Sequence, residues 1–463
     1  MLCPSSTVTV EKEKAMPITA LHEKIAATPF IDTHEHLLEE RTRLWEVGVN
    51  RYIPCSDAAL LLRHYAGDDL HVAGMPLAER ERFYAPDVAP AEKWRLLAPY
   101  WSRCRHTGYL QAVRWTMRKL FGEEDLDADS FVRISERLQA HAQPGFYRRV
   151  FQVAGVESCQ VNSFEAIFCE SEQPDLLRQD LCITPLSIEL NLADHQAATG
   201  IAATTLDDMH AIIDWYFARY GTRAVAVKSG AAYMRRLNFA AVPAEDAAPL
   251  FARYARGESL GPQEWAALQD HLMHQCLVRA TECGLPVKVH CGYYAGTGSM
   301  PLDRVRRNAG DLCPLLAAWP DTTFVLMHIG YPYQDEYIAL AKHYPNVYVD
   351  LCWAWILNPV ATARFVREFL TAAPTSKLFT FGGDYSHVEP IVGHAHIARL
   401  GLAQALTELV EADWVTQQEA LDLVEPLMRG NALRVFKRQR ETTDAHQPQV
   451  ASPVRFDQHS PLR

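Results

Sequence analysis

Eight short apolar runs, separated by stretches of helical periodicity, constrain this chain more than any other feature. The first is Phe30-Ile31-Asp32-Thr33, just after Pro29, and the second lies at Val156 to Asn162. Six more follow, at Cys182 to Ile188, Ala224 to Val227, Pro286 to Val289, Thr323 to Met327, Val347 to Val349 and Leu378 to Phe381. Most are rich in β-branched residues, and near-continuous apolar runs suit strands buried on both faces, as in a parallel sheet. The clearest helical pattern between them runs from Pro262 to Glu282 and is stopped by Gly284 and Pro286. Eight strands alternating with helices is the count of a (β/α)8 barrel, so the expected fold class is α/β, a TIM barrel.

The spacing of the runs also predicts the domain organisation. The stretch between the first two, about residues 39–155, is far too long for one connecting helix and reads as a helical insertion after strand 1. Pro90 is placed to open one of its helices, and Asp127 or Asp129 to cap the helix of Phe131, Ile134 and Leu138. Following directly on the first strand, the insertion is expected to cover the barrel mouth or to form the contact of a homo-oligomer. The barrel occupies 20–436, with an N-terminal extension over 1–19 and a polar, proline-containing, disordered tail over 437–463.

Apolar residues make up 48% of the 463 and charged residues 22%, enough apolar material for a large core. A net charge of −11 without a Lys/Arg stripe argues against nucleic acid and anionic membranes, and leaves a small molecule as the expected partner. The 11 cysteines have no regular spacing and no Cys-x-x-Cys, and no apolar run reaches membrane-spanning length. Together with a polar start that lacks a signal peptide's apolar stretch, these features suggest a reduced, cytoplasmic protein.

In a barrel the chemistry belongs at the C-terminal ends of the strands. Here those ends carry His34 and His36, Lys228, His290, His328, Asp350 and Asp384. Side chains alternate along a strand, so His34 and His36 share one face with Cα atoms roughly 7 Å apart, close enough to grip one ion. Neutral imidazoles with a carboxylate suit Zn²⁺ or a similar divalent ion and leave a position for water. The expected ligands are His34, His36, His290 and Asp384, for one ion or two; Lys228 would bridge a pair of ions as a carbamate, or would hold a substrate anion. Asp384, in Phe381-Gly382-Gly383-Asp384, is the expected proton carrier, and His328 orients water or polarises a substrate oxygen. Tyr233, Arg235, Tyr293, Trp353 and His387 follow strand ends and are candidate substrate contacts, with Arg235 and Arg236 as anion binders.

These residues, with the segments Val227-Lys228-Ser229-Gly230-Ala231, Met327-His328-Ile329-Gly330-Tyr331-Pro332 and Tyr344-Pro345-Asn346-Val347-Tyr348-Val349-Asp350, resemble the amidohydrolase superfamily. Within it they are most similar to the amidohydrolase-2 branch and to the amidohydrolase-like half of FluG and nodulin-type glutamine synthetase fusions. The resemblance implies metal-dependent hydrolysis of a C–N or C–O bond in a small, anionic substrate. Uronate isomerases share the superfamily, a similar length and an insertion after strand 1, so isomerisation is the alternative, with non-oxidative decarboxylation beside it. The segment Gly383-Asp384-Tyr385-Ser386-His387 departs from the family pattern on the substrate side.

Overall fold

The computed structural model describes residues 19–436, so the expected tail and all but the end of the N-terminal extension lie outside the described residues. Nine short segments form two wholly parallel ladders. One contains β1 (Phe30–Glu35), β2 (Val156–Val161) and β3 (Leu177–Gln179). The other contains β4 (Leu181–Cys182), β5 (Val227–Ser229), β6 (Val287–Val289), β7 (Phe324–Leu326), β8 (Val347–Asp350) and β9 (Leu378–Phe379).

β3 and β4 are two pieces of one barrel strand interrupted at Asp180, whose N–H still donates to the Val161 carbonyl while Leu181 donates to Ala226. The barrel closes where Thr33 N–H donates to Phe381 O at 3.0 Å and Asp384 N–H to His34 O at 2.9 Å. Eight parallel strands, closed by these bonds, make a (β/α)8 barrel. The third strand was expected at Cys182 to Ile188, but the ladder ends at Cys182 and a helical turn, Thr184–Ser187, follows. Pro185 is the cause: it has no N–H for a ladder, and its fixed φ suits a first helical turn.

A small cluster of Ile31, Ala226, Val325, Phe379 and Phe436 fills one end of the barrel. The segment between β1 and β2 is built of helices from Glu40–Trp45 to Phe146–Ala154. One of them opens at Pro90, and Asp127 caps another by accepting from the N–H groups of Asp129 and Ser130. The long helix Pro262–Glu282 ends at Gly284, whose φ of +64° turns the chain as a side-chain-bearing residue rarely does. Among the described residues no helix is long and apolar enough to cross a membrane.

Candidate active site

β1 puts His34 and His36 on one face, and the loop after β9 brings Asp384 to them. His34 Nε2 and His36 Nε2 stand 3.3 Å apart, and each lies 3.2 Å from Asp384 Oδ1. Two buried acids hold this arrangement from behind. Asp32 Oδ1 accepts from the N–H groups of His34 and, at 3.4 Å, Gly383, while Glu35 Oε2 accepts from Tyr385 N–H at 2.6 Å. Burial raises Asp32 to about 7 and Glu35 well above the usual carboxyl range, with the charge of Asp32 adding to the effect on Glu35. Gly383 is required there, because a Cβ would fall 1.9 Å from Glu35 Oε1. Of the six described non-glycine residues with positive φ, five border this region: His64, His328, Ile329, Trp353 and Asp384. Such backbone persists only where surrounding contacts impose it.

Proton positions follow from the carbonyls, which only accept. His36 Nδ1 faces Asn162 O at 2.7 Å and must carry the hydrogen, which leaves Nε2 bare. A hydrogen on His34 Nδ1, 3.8 Å from Asp180 Oδ2, leaves its Nε2 bare as well. Burial lowers the His34 pKa to about 4, with Lys228 adding to the effect, so the ring is neutral at pH 7. Two lone pairs and a carboxylate oxygen thus converge with nothing but mutual repulsion between them. Ligands bound 2.0–2.1 Å from a tetrahedral ion stand about 3.3–3.4 Å apart, so the donor set fits a divalent cation.

His290, expected among the metal ligands, follows directly on β6, the fifth barrel strand and opposite the first, and its Nε2 donates to Tyr293 O at 2.9 Å. Its bare Nδ1 meets His328 Nε2 at 3.0 Å, instead of joining the ligand atoms of His34, His36 and Asp384. His328 Nδ1 donates to Cys352 O at 3.0 Å, and burial takes its pKa down to about 3. A second group of candidate ligand atoms joins His328, Cys352 and Asp384. Lys228 is buried in β5 beside Cys182 and Lys288, and burial lowers its pKa. Lys288 donates to Asp180 and to the Thr33 carbonyl, both at 2.7 Å.

The expected substrate contacts divide. Tyr233 packs 4.3 Å from the His290 ring, Trp353 5.4 Å from His328, and Tyr293 5.7 Å from Trp353. Arg235 does not belong with them: its guanidinium bonds Asp270, Gln269 and the Ala266 carbonyl on the helix Pro262–Glu282. Arg236 is likewise taken by Asp311. His387 is fully buried behind Ser386, with its pKa lowered to about 3 by burial and then by Arg43.

Residues that sequence reasoning missed come mainly from the insertion. Tyr65 OH is shared between two acceptors, Asp384 Oδ2 and the Asp384 carbonyl oxygen, each at 2.7 Å, and its ring is stacked 4.7 Å from Trp353 and 4.1 Å from His64. Nothing in the helical pattern around His64-Tyr65 marks that pair; the positive φ of His64, which aims it, is visible only in the fold.

A family model described as amidohydrolase matches residues 187–438, more than half of the chain. The chain belongs to the amidohydrolase superfamily. Within it the match is to the amidohydrolase-2 branch, and this is a metal-dependent enzyme. Protein fluG of Emericella nidulans is 25% identical over 224 residues, which are 46% of this chain and 25% of that protein, so the likeness spans a quarter of the relative's length. The crystal structure of the uronate isomerase from Thermotoga maritima superposes with a TM-score of 0.74 at 16% identity, covering 91% of this amidohydrolase and 97% of that chain. The glucuronate isomerase from Caulobacter crescentus gives 0.74 at 17%, covering 95% and 96%. At these identities the likeness is one of fold.

Proposed function

We propose that this amidohydrolase-superfamily protein is a zinc-dependent isomerase of small hydroxy acids of the uronate class, its ion held by His34, His36 and Asp384. The observation that carries the reading is the Tyr65 hydroxyl set 2.7 Å from Asp384 Oδ2, and equally 2.7 Å from the Asp384 carbonyl oxygen. Asp384 turns Oδ1 to the two histidines, and in a hydrolase its other oxygen would take the proton of the attacking water. A buried phenol from the insertion occupies that oxygen instead. Tyrosine and aspartate together can pass a proton to and from a substrate hydroxyl, and an aldose and its ketose differ only in where two hydrogens sit. No leaving group has to be protonated. What a bound zinc ion would supply is Lewis acidity toward a substrate oxygen. The bare nitrogens of His290 and His328 accept hydroxyl donors, and Trp353, Tyr233 and Tyr293 wall off water. The Caulobacter glucuronate isomerase supports the reading, since 95% coverage of this chain takes in the insertion that carries Tyr65.

Hydrolysis of a C–N or C–O bond is the second reading. It is favoured by His328, whose bare Nε2 could act as base near the same aspartate. Zinc-loaded protein incubated with D-glucuronate and followed by proton NMR tests the choice, with amides and lactones in parallel. Ketose signals are the expected result; amide or lactone cleavage without ketose would assign hydrolysis instead.

A further inference from the structure

Four lysine or arginine side chains are buried among the described residues, and three of them are ion-paired. Arg43 is held by Glu389, Lys93 by Asp57 at 2.6 Å and Lys288 by Asp180 at 2.7 Å. Lys228 is the fourth, 4% exposed and without a hydrogen bond or ion pair among the described residues. A buried ammonium left unpaired costs free energy that packing does not return, so it points to a function. Its register shows where it lies. Lys228 pairs with Lys288 across β5 and β6, and paired positions of a parallel ladder face the same side. Lys288 reaches the Thr33 carbonyl on the opposite strand, so both lysines face the barrel interior. Burial lowers the pKa of His34, His290 and His328, and the Lys228 charge adds to the effect in each. Burial disfavours the charge on Lys228 itself, and Asp384 favours it.

The donors for a second ion are present beside the first. Ligand atoms of His328, Cys352 and Asp384 lie within 4.8 Å of one another, as do those of His34, His36 and Asp384. We infer that the Lys228 ammonium keeps a second ion out of the His328 group and makes the centre a one-metal site. A protonated lysine offers donors and no lone pair, so it repels a cation and cannot ligate one. With that ion excluded, Asp384 Oδ2 stays with Tyr65 and His328 Nε2 with His290 Nδ1. A carbamate on Lys228 would do the opposite, because an anionic ligand draws a second ion in. The two states of the same lysine therefore give different metal counts. The inference rests on the proposed ion at His34, His36 and Asp384, and not on the reaction assigned to it.

Elemental analysis of the full chain, loaded with excess zinc and then desalted, tests the count. Wild type should hold about one ion per chain and Lys228→Met about two, since methionine fills the space without the charge. Lys228→Arg keeps the charge and should stay at about one. Lys228→Met combined with His328→Asn should return to about one, which places the added ion beside His328. Manganese loading gives a second readout: the resolved EPR spectrum of an isolated ion in wild type should give way in Lys228→Met to that of two coupled ions. Melting curves identify a variant that fails to fold, and Lys228→Gln then stands in for Lys228→Met. Equal metal content in wild type and the folded neutral variant, or two ions in wild type, would overturn the inference alone. No zinc in wild type, or full zinc in His34→Ala with His36→Ala, would overturn the proposed metal set and the inference with it.

Discussion

The barrel holds two pairs of facing imidazoles, and they differ in what completes them. Carbonyl groups take both ring hydrogens of the second pair and that of His36 in the first, where His34 Nδ1 faces the Asp180 carboxylate instead; bare nitrogens meet at 3.3 Å between His34 and His36 and at 3.0 Å between His290 and His328. The first pair is joined by Asp384 Oδ1, 3.2 Å from each ring. The second is enclosed by the aromatic rings of Tyr233, Tyr294 and Trp353. Converging lone pairs become a cation site when a negative ligand joins them. Without one they remain acceptors for substrate hydroxyls.

The largest expected effect breaks the first pair. His34→Ala with His36→Ala should remove the bound metal and reduce turnover to background, and elemental analysis alongside the NMR assay reads both. Full metal content in the double variant would show that the ion sits elsewhere. Next is Tyr65→Phe, which keeps the ring packing and removes the proton on Asp384 Oδ2. It should lower kcat about 100-fold, the usual scale for a lost general acid or base, while zinc content stays at the wild-type value. A hydrolase relying on Asp384 would gain rate from that change, so the direction of the effect is the test.

The first pair was legible in the sequence because strand alternation alone places His34 and His36 on one face. The two glycines before Asp384 announced a close approach, which the Glu35 contact explains. What remained hidden depended on partners remote in sequence. Arg235 and Arg236 read as loop cations after a strand, yet their carboxylates lie 35 and 75 residues further on. Leu177-Arg178-Gln179 has a polar centre and does not read as a buried strand, and Asp180 breaks the ladder because Lys288 holds it inside the barrel. Helical periodicity located the insertion but not which of its residues reach the site, so Tyr65 stayed out of view.

Acid should distinguish the pairs next. His34 has its pKa lowered to about 4 and His328 to about 3, against an ordinary value near 6.5. Between those values the unfolded chain binds more protons than the folded one, so this contribution to stability is complete above pH 6.5 and is lost as pH falls toward 4 and then 3. The melting temperature of metal-free protein should therefore drop steadily from pH 7 to 4. Zinc should flatten the upper part of that curve, since it competes with protons for the first pair. Identical curves with and without zinc would indicate that no titrating histidine binds it.

The smallest expected effect lies at the second pair. A second ion near His328 would draw on Cys352 and Asp384, whose ligand atoms cluster with it. Asp384 Oδ2 already accepts from Tyr65, and burial raises the Cys352 thiol well above its usual range, so it keeps its proton at neutral pH. Both groups would have to give up existing interactions to bind metal. His290→Asn with His328→Asn should therefore leave zinc near one ion per chain and act mainly on substrate affinity, raising KM by about tenfold for two lost hydrogen-bond acceptors. Two ions in the wild type falling to one in this variant would make the pairs equivalent, and would return His290 to the metal set that its position at a strand end first suggested.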